Sequence, residues 1–189
     1  MKIAILGRGQ VGQTLGSAWS ASHDVVFGSR TPNSDGERSM SEAASWADVV
    51  VLTTPSSAVT AEFIGSLPLS GKIVVDATNP IKADFSGVDP DGPNVGALAP
   101  DARVVKAFNS IGVDLMANPR FPDGNAALLV ASDDEEAKAT VIALGEEIGF
   151  EGVDAGGWSA FRNLENAAWL WISLSMKHGR GIGFKFMTR

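Results

Sequence analysis

The chain has 189 residues, with 15 Lys and Arg against 22 Asp and Glu and a formal net charge of −7; that balance excludes the clustered cations of a nucleic-acid groove or a polybasic membrane contact. Hydrophobic residues at 44% are enough for a packed core and too many for a disordered chain. The absence of cysteine excludes disulfides, thiolate metal sites and thiol catalysis, and the two histidines, His23 and His178, stand too far apart in sequence to suggest a metal centre.

In chain order, the first element is an apolar strand over residues 2–6. It runs at once into Gly7, Arg8, Gly9, Gln10, Val11 and Gly12 and a helix over 11–21. This is G-x-G-x-x-G in the context its mechanism needs, with a strand before it and a helix after it. Gly7 makes the tight turn, Gly9 lets a pyrophosphate approach the backbone, and Gly12 lets the helix lie close to the strand. Free N–H groups at the helix start then meet the phosphates. The whole hexapeptide is therefore a candidate dinucleotide cradle. No leader-like segment precedes the strand and no apolar run reaches the ~18 residues of a membrane span, so a cytoplasmic protein without membrane contact is expected.

A second strand, 25–27, runs into Gly28, Ser29, Arg30 and Thr31. Sites selective for NAD place an acid here to accept from the ribose 2′-hydroxyl. A serine hydroxyl and a guanidinium instead suit a 2′-phosphate, which the planar fork of arginine meets bidentately. Ser29 and Arg30 thus point to NADP(H), with Arg8 as a stacking face or a further charge at the same end.

Strands over 49–52, 73–75 and 104–108 follow, with a helix over 57–66 between the first two. Their apolar runs are continuous rather than alternating, the pattern of strands covered on both faces. Each run stops at small polar groups: Thr53, Thr54, Pro55 and Ser56; then Asp76, Ala77, Thr78, Asn79 and Pro80; then Asn109 and Ser110 after Phe108. Ligands of open α/β sheets sit outside these carboxyl ends. Thr53, Thr54, Pro55, Ala77, Asn79 and Pro80 are candidates for the cofactor, and Phe108 and Asn109 for the pocket beside it. The Gly-, Pro- and Asp-rich segment 84–96 reads as a loop, either near the ligand or a plain surface connection.

A strand over 126–131 and a helix over 134–148 complete the alternation. Ser132 or Asp133 is the expected helix cap and Gly149 the stop. The stretch 164–176 is apolar around most of a helical circumference, which predicts burial in the core or against a partner subunit. The glycines at 179–183 follow a helix and not a strand, so they read as a helix end and a turn. The fold class is α/β: a Rossmann-type, doubly wound parallel sheet over 1–155, then a small C-terminal helical cap over 156–189.

No catalytic residue is assigned. Tyrosine is absent, and His178, Lys106 and Lys177 are the candidate proton donors for a keto-acid or imine reductase, the lower-ranked reading.

Several blocks, spread in order over nearly the whole chain, resemble the NADPH-dependent coenzyme F420 reductase family; the related cytosolic domain of the STEAP metalloreductases shares the pattern. They are MKIAILGRGQVG at 1–12, VVFGSRTP at 25–32, VVDATNP at 74–80, RVVKAFNSIG at 103–112, DAGG at 154–157 with Arg162 and Glu165, LWISL at 170–174 and GFKF at 183–186. The resemblance implies that the glycine loop, Ser29 and Arg30 hold NADP(H), that Thr54 and Pro55 line its path, and that Asn79 and Pro80 flank the nicotinamide. It implies direct hydride transfer to a deazaflavin or flavin-like ring such as F420, with Ile182 near the second ring. It also implies a homodimer through the C-terminal helix. The 84–96 loop departs from the family pattern. Alternatives are a flavin or ferric reductase and a non-catalytic NADP-binding sensor.

Overall fold

A computed structural model describes residues 1–189. The elements are β1 (Lys2–Leu6), α1 (Gln10–Trp19), β2 (Asp24–Ser29), β3 (Glu37–Ser39), α2 (Met40–Trp46), β4 (Val49–Leu52), a 3-10 turn (Ser56–Ala58), α3 (Ala61–Gly65), β5 (Ile73–Asp76), α4 (Val95–Leu98), β6 (Arg103–Lys106), α5 (Val113–Ala117), β7 (Arg120–Phe121), β8 (Gly124–Asn125), β9 (Ala127–Val130), α6 (Glu135–Glu147), β10 (Glu151–Asp154), a second 3-10 turn (Trp158–Ala160) and α7 (Phe161–His178). Six strands form one sheet in the order β3-β2-β1-β4-β5-β6, and every pairing in it is parallel. The order reverses at β1, which places the switch point of a doubly wound sheet beside the glycine turn.

Continuous apolar strands are explained by two cores, one on each face. Ile3, Ile5, Val49, Val51, Val75 and Val105 pack with Leu15 and Trp19 of α1 and with α5 and α6. Ala4, Leu6, Val50, Leu52, Val74 and Val104 point the other way, onto α2, α3 and α4. Period-two alternation therefore sorts each strand between two apolar layers rather than between core and water.

Four expectations need correction. The 126–131 strand does not extend the main sheet: β9 pairs in parallel with β10 as a separate two-stranded sheet, linked to β6 through one antiparallel bridge between Lys106 and Ala131. The 57–66 helix is broken, because the Thr60 hydroxyl caps a new start by accepting from Phe63 N. The 104–108 strand stops at Lys106, since Phe108 takes φ +62° and turns its ring into the core, edge-on to both Trp19 and Phe150. The α6 cap is Asp134, which accepts from Ala137 N; Ser132 supports it by accepting from Asp134 N, and Asp133 accepts from Trp158 N instead.

The last helix, α7, is not buried all round. Leu164, Glu165, Ala168 and Trp171 face the body, while Leu170 is 50% and Met176 68% exposed. Gly179 closes it at φ +83°, as the helix-end reading of 179–183 expects. The tail then folds back: Trp171 Nε1 donates to Ile182 O, and Ala127 N donates to Phe184 O. No helix is long and apolar enough to cross a membrane.

Arg103 at the start of β6 grips Asp134 bidentately, Nε to Oδ2 at 2.6 Å and Nη2 to Oδ1 at 2.9 Å. Arg103 first, and then the Ala137 amide, hold the Asp134 carboxyl far below its ordinary range. A lowered carboxyl value stabilises the folded state above the unfolded value of about 3.9 and loses that contribution as pH falls through the folded value. Asp134→Ala is expected to cost roughly 1–2 kcal/mol, mostly the cap, because the ion pair is a third exposed and screened. Urea unfolding at neutral pH should show the full loss, and the gap from wild type should narrow at pH below about 4.

Candidate functional site

A cleft of about 820 Å³ opens at the carboxyl ends of β1, β2, β4 and β5. Its floor is the glycine turn. Gly7 sits at φ +129°, where a side chain would be strained. A Cβ on Gly12 would lie 2.2 Å from Gly7 O and 2.7 Å from Thr53 Oγ1, so α1 can lie this close to β1 only without one. Gly9 differs: a Cβ there would meet nothing within 4 Å and would project into open space. Thr53 stitches β4 to the turn by donating to Leu6 O or Gly7 O, at 3.3 and 3.2 Å.

At one end, Ser29 is buried and accepts from Thr31 N, which leaves its hydroxyl proton free to donate. Arg30 is exposed at the rim and pairs with no carboxylate. Arg8 is already engaged: its guanidinium reaches Glu37 at 2.5 Å and Asn33 at 3.3 Å. The Asn33 amide, and then Arg8, hold the Glu37 carboxyl below its ordinary value. Arg30 is thus the unneutralised cation of this end.

The other end is built on β5 and β6. Asp76 Oδ1 accepts from Thr78 N at 3.0 Å and from Thr78 Oγ1 at 2.7 Å, and Asp76 Oδ2 takes Lys106 Nζ at 2.9 Å. Asn79 Nδ2 donates to Asn109 O at 2.6 Å, and Asn109 Nδ2 donates to Asn79 Oδ1 and to Leu164 O. Two polar atoms stay buried without a partner, Thr54 Oγ1 and Asn109 Oδ1. Of the two, only Thr54 lines the cleft, so its hydroxyl is a place where a ligand group or a water fits.

Of the candidate residues, the cleft brings together Gly7, Arg8, Gly9, Ser29, Arg30, Thr53, Thr54, Pro55, Ala77 and Asn79. Gln10 and Val11 begin α1 just behind it, and Gly12 packs beneath. Pro80 is buried past the wall, its carbonyl accepting from Asp89 N. The Phe108 ring does not frame the cleft, because it is locked in the core. Ile182 is in the C-terminal tail, held through its carbonyl by Trp171, and lines no part of this cleft. The three candidate proton donors are equally displaced: Lys106 is fully buried in ion pairs, and Lys177 and His178 lie in the exposed last turn of α7.

Sequence reading missed Met40, Ser57, Ala58, Phe63 and Ser66, which also line the cleft. Ser39 and Glu42 form a capping box, the one local signal that could have located α2 and with it Met40. The 84–96 loop lacks regular structure until α4, and Arg162 of α7 holds it by donating to Asp89 O and Pro90 O. No cluster of three or more metal-ligating side chains is present.

The family described as NADP oxidoreductase coenzyme F420-dependent matches residues 2–80. The chain is 30% identical over 213 residues to the F420-dependent NADP reductase of Methanothermobacter thermautotrophicus, covering 94% of this chain and 90% of that protein. It is 33% identical over 175 residues to rat metalloreductase STEAP3, covering 87% of this chain but 36% of the rat protein, so it spans about a third of that relative's length. A solved structure from Arthrobacter sp. FB24, provisionally assigned as an F420-dependent NADP-reductase, superposes with a TM-score of 0.84 at 29% identity over the whole of both chains.

The two glycines predict a contrast. Gly12→Ala is expected to destabilise the chain by about 1–3 kcal/mol through overpacking, whereas Gly9→Val should shift stability by less than about 1 kcal/mol. Parallel urea unfolding of the two variants checks it.

Proposed function

The chain belongs to the family of coenzyme F420-dependent NADP oxidoreductases, and from that premise we propose that it binds NADP(H) in the cleft and exchanges a hydride with a deazaflavin or flavin-like ring such as F420. The observation that carries the cofactor reading is a pair of anion-ready features in one cleft: an open Gly9 with a free helix start, and Arg30 with no carboxylate to oppose it. The residues fit the group at the other end too. Thr54 Oγ1, at the β4 tip in the cleft lining, is unsatisfied, and a carboxamide there would complete its hydrogen bonding.

In this reading the glycine turn and the α1 N-terminus hold the pyrophosphate. Ser29 and Arg30 hold the 2′-phosphate, while Arg8, braced by Glu37, walls the adenine side. Thr53, Thr54, Pro55, Ala77 and Asn79 confine the nicotinamide half, and Gln10, Val11, Gly12 and Pro80 support these contacts from behind. Bound NADPH supplies a hydride at C4 of its nicotinamide. Direct hydride exchange between two rings needs alignment and dryness rather than an acid or a base. The absence of any histidine, lysine or carboxylate from the cleft lining agrees with that.

The reading extends to assembly. Residues 1–155 form the cofactor unit, and 156–189 form a cap at which two copies meet. Its support is the outward side of α7, where two large apolar side chains, Leu170 and Met176, stand exposed.

Paired titrations of NADPH and NADH, followed by tryptophan fluorescence, test the cofactor. Arg30→Ala is expected to weaken NADPH binding by about 10- to 100-fold, the worth of a charge-assisted pair, and to leave NADH nearly unchanged. Equal losses would remove the 2′-phosphate assignment. Adding F420 or flavin mononucleotide to the NADPH complex should bleach the nicotinamide absorbance; tight binding with no bleaching by either would favour the sensor reading. Sedimentation should show a dimer that Leu170→Glu converts to a monomer, and an unchanged sedimentation coefficient would sink the α7 interface.

A further inference from the structure

Behind the cleft wall lies a lysine that this function does not use. Lys106 is 0% exposed, at the end of β6, and its three ammonium contacts go to three different places. They reach Asp76 Oδ2 at 2.9 Å, Thr78 O at 2.8 Å and Glu165 Oε1 of α7 at 3.3 Å. Burying an ammonium costs several kcal/mol before pairing, and an apolar side chain of similar volume is often as stable or more so. Stability alone therefore gives little reason for a lysine here. What the lysine adds is geometry.

With Asp76 on its amide and hydroxyl and Lys106 on its carbonyl, every polar group of Thr78 is held. Asn79, one residue on, interlocks with Asn109, and Asn109 Nδ2 also reaches Leu164 O at 2.9 Å. The cleft wall thus meets α7 twice, at the adjacent residues Leu164 and Glu165. Glu165 carries the connection outward: its second oxygen takes Arg162 Nη1 at 3.0 Å, and that guanidinium clamps the carbonyls of Asp89 and Pro90 at 3.0 and 3.1 Å. Two cations and two carboxylates balance along the line.

We propose that Lys106, Glu165 and Arg162 form a positioning relay that sets the Thr78–Asn79 wall and the 89–90 loop as one unit, so that α7 determines how the nicotinamide half of the cofactor is seated. The proposal rests on the NADP(H) reading of the cleft. It separates the two ends: the relay touches neither the glycine turn nor Ser29 and Arg30. These three are positioning residues, none of them lining the cleft.

The test compares two probes by calorimetry on the full chain: 2′,5′-ADP, which fills only the adenosine end, and NADPH, which fills both. Glu165→Gln keeps an oxygen for Lys106 but removes the charge, and Arg162→Ala removes the outer link from a side chain that is 47% exposed and cheap to lose. Glu165→Gln is expected to weaken NADPH by about tenfold and Arg162→Ala by about threefold, with 2′,5′-ADP within about twofold of wild type in both. Arg162→Lys, which keeps the charge beside Glu165 but loses the two-carbonyl fork, should recover part of the loss. The emission of bound NADPH should shift in the same order, a change that general loosening does not produce.

Equal loss of both probes, or unchanged NADPH affinity beside a lowered melting temperature, would show the cluster to be structural only. If Glu165→Gln does not fold, Arg162→Ala alone decides by the same comparison. Wild-type protein that binds 2′,5′-ADP and NADPH equally well would overturn the relay and leave the adenosine-end reading standing. Binding of neither would overturn both.

Discussion

The approach of α1 to β1 is the constraint on which the cleft depends. The helix starts within touching distance of the strand end because Gly12 leaves no atom between itself and Gly7 O. This closeness aims the free amides of the first helical turn at the cleft rather than at the sheet. It also puts Thr53 within reach of both Leu6 O and Gly7 O, so β4 locks the turn it lies beside. A methyl group at position 12 would lift the helix and disturb the amides and the Thr53 contact together. The open space over Gly9 is a consequence of the same arrangement, since Gly9 stands on a turn that cannot shift toward the helix.

From that fixed floor the two ends of the cleft are built by different means. The end at the β2 tip is local. Ser29 ends β2, Arg30 and Thr31 follow directly, and an ST-type turn settles their backbone. The opposite end is made at long range, by side chains from β5, β6 and α7 that meet far apart in sequence. Phe108 shows the cost of that construction. Its left-handed backbone carries strain of order 1–3 kcal/mol, and edge contacts with Trp19 and Phe150 hold it there. The turn that results points Asn109 back toward Asn79 and Leu164.

This division explains what could be read in the sequence. Strands β1 and β4, the glycine turn and the Ser29–Arg30 tip are encoded in short contiguous runs, and pattern reading found them with nearly the observed bounds. The fold class followed, because runs covered on both faces require helices on both sides. Side-chain direction at the third tip did not follow. Phe108 and Lys106 sit at a strand end, where residues usually face the ligand, yet the positive φ of one and the ion pairs of the other turn both inward. The position of Ile182 has a related cause: tail docking depends on Trp171 and the edge of β9, which no local signal marks. The apolar run over 126–131 marks a strand but not its separate pairing with β10, because partner choice leaves no trace in one run of apolar residues.

The same division bears on how such a site can change its chemistry. An end encoded in a contiguous strand–turn segment keeps its ligand as long as that segment is kept. An end assembled from three elements and a loop changes whenever any one of them moves. The 84–96 loop is tied to the body through Arg162 and two carbonyl acceptors, with little regular structure of its own. Carbonyl acceptors do not depend on side-chain identity, so the loop can vary in sequence without losing its anchor. A cleft built this way can keep its β2 end unchanged while the end built on β5, β6 and α7 is altered. The buried Lys106 pairs supply the rigidity that such freedom requires, since they tie Asp76 of β5 to Glu165 of α7 behind the Thr78–Asn79 wall while the loop in front of it can change.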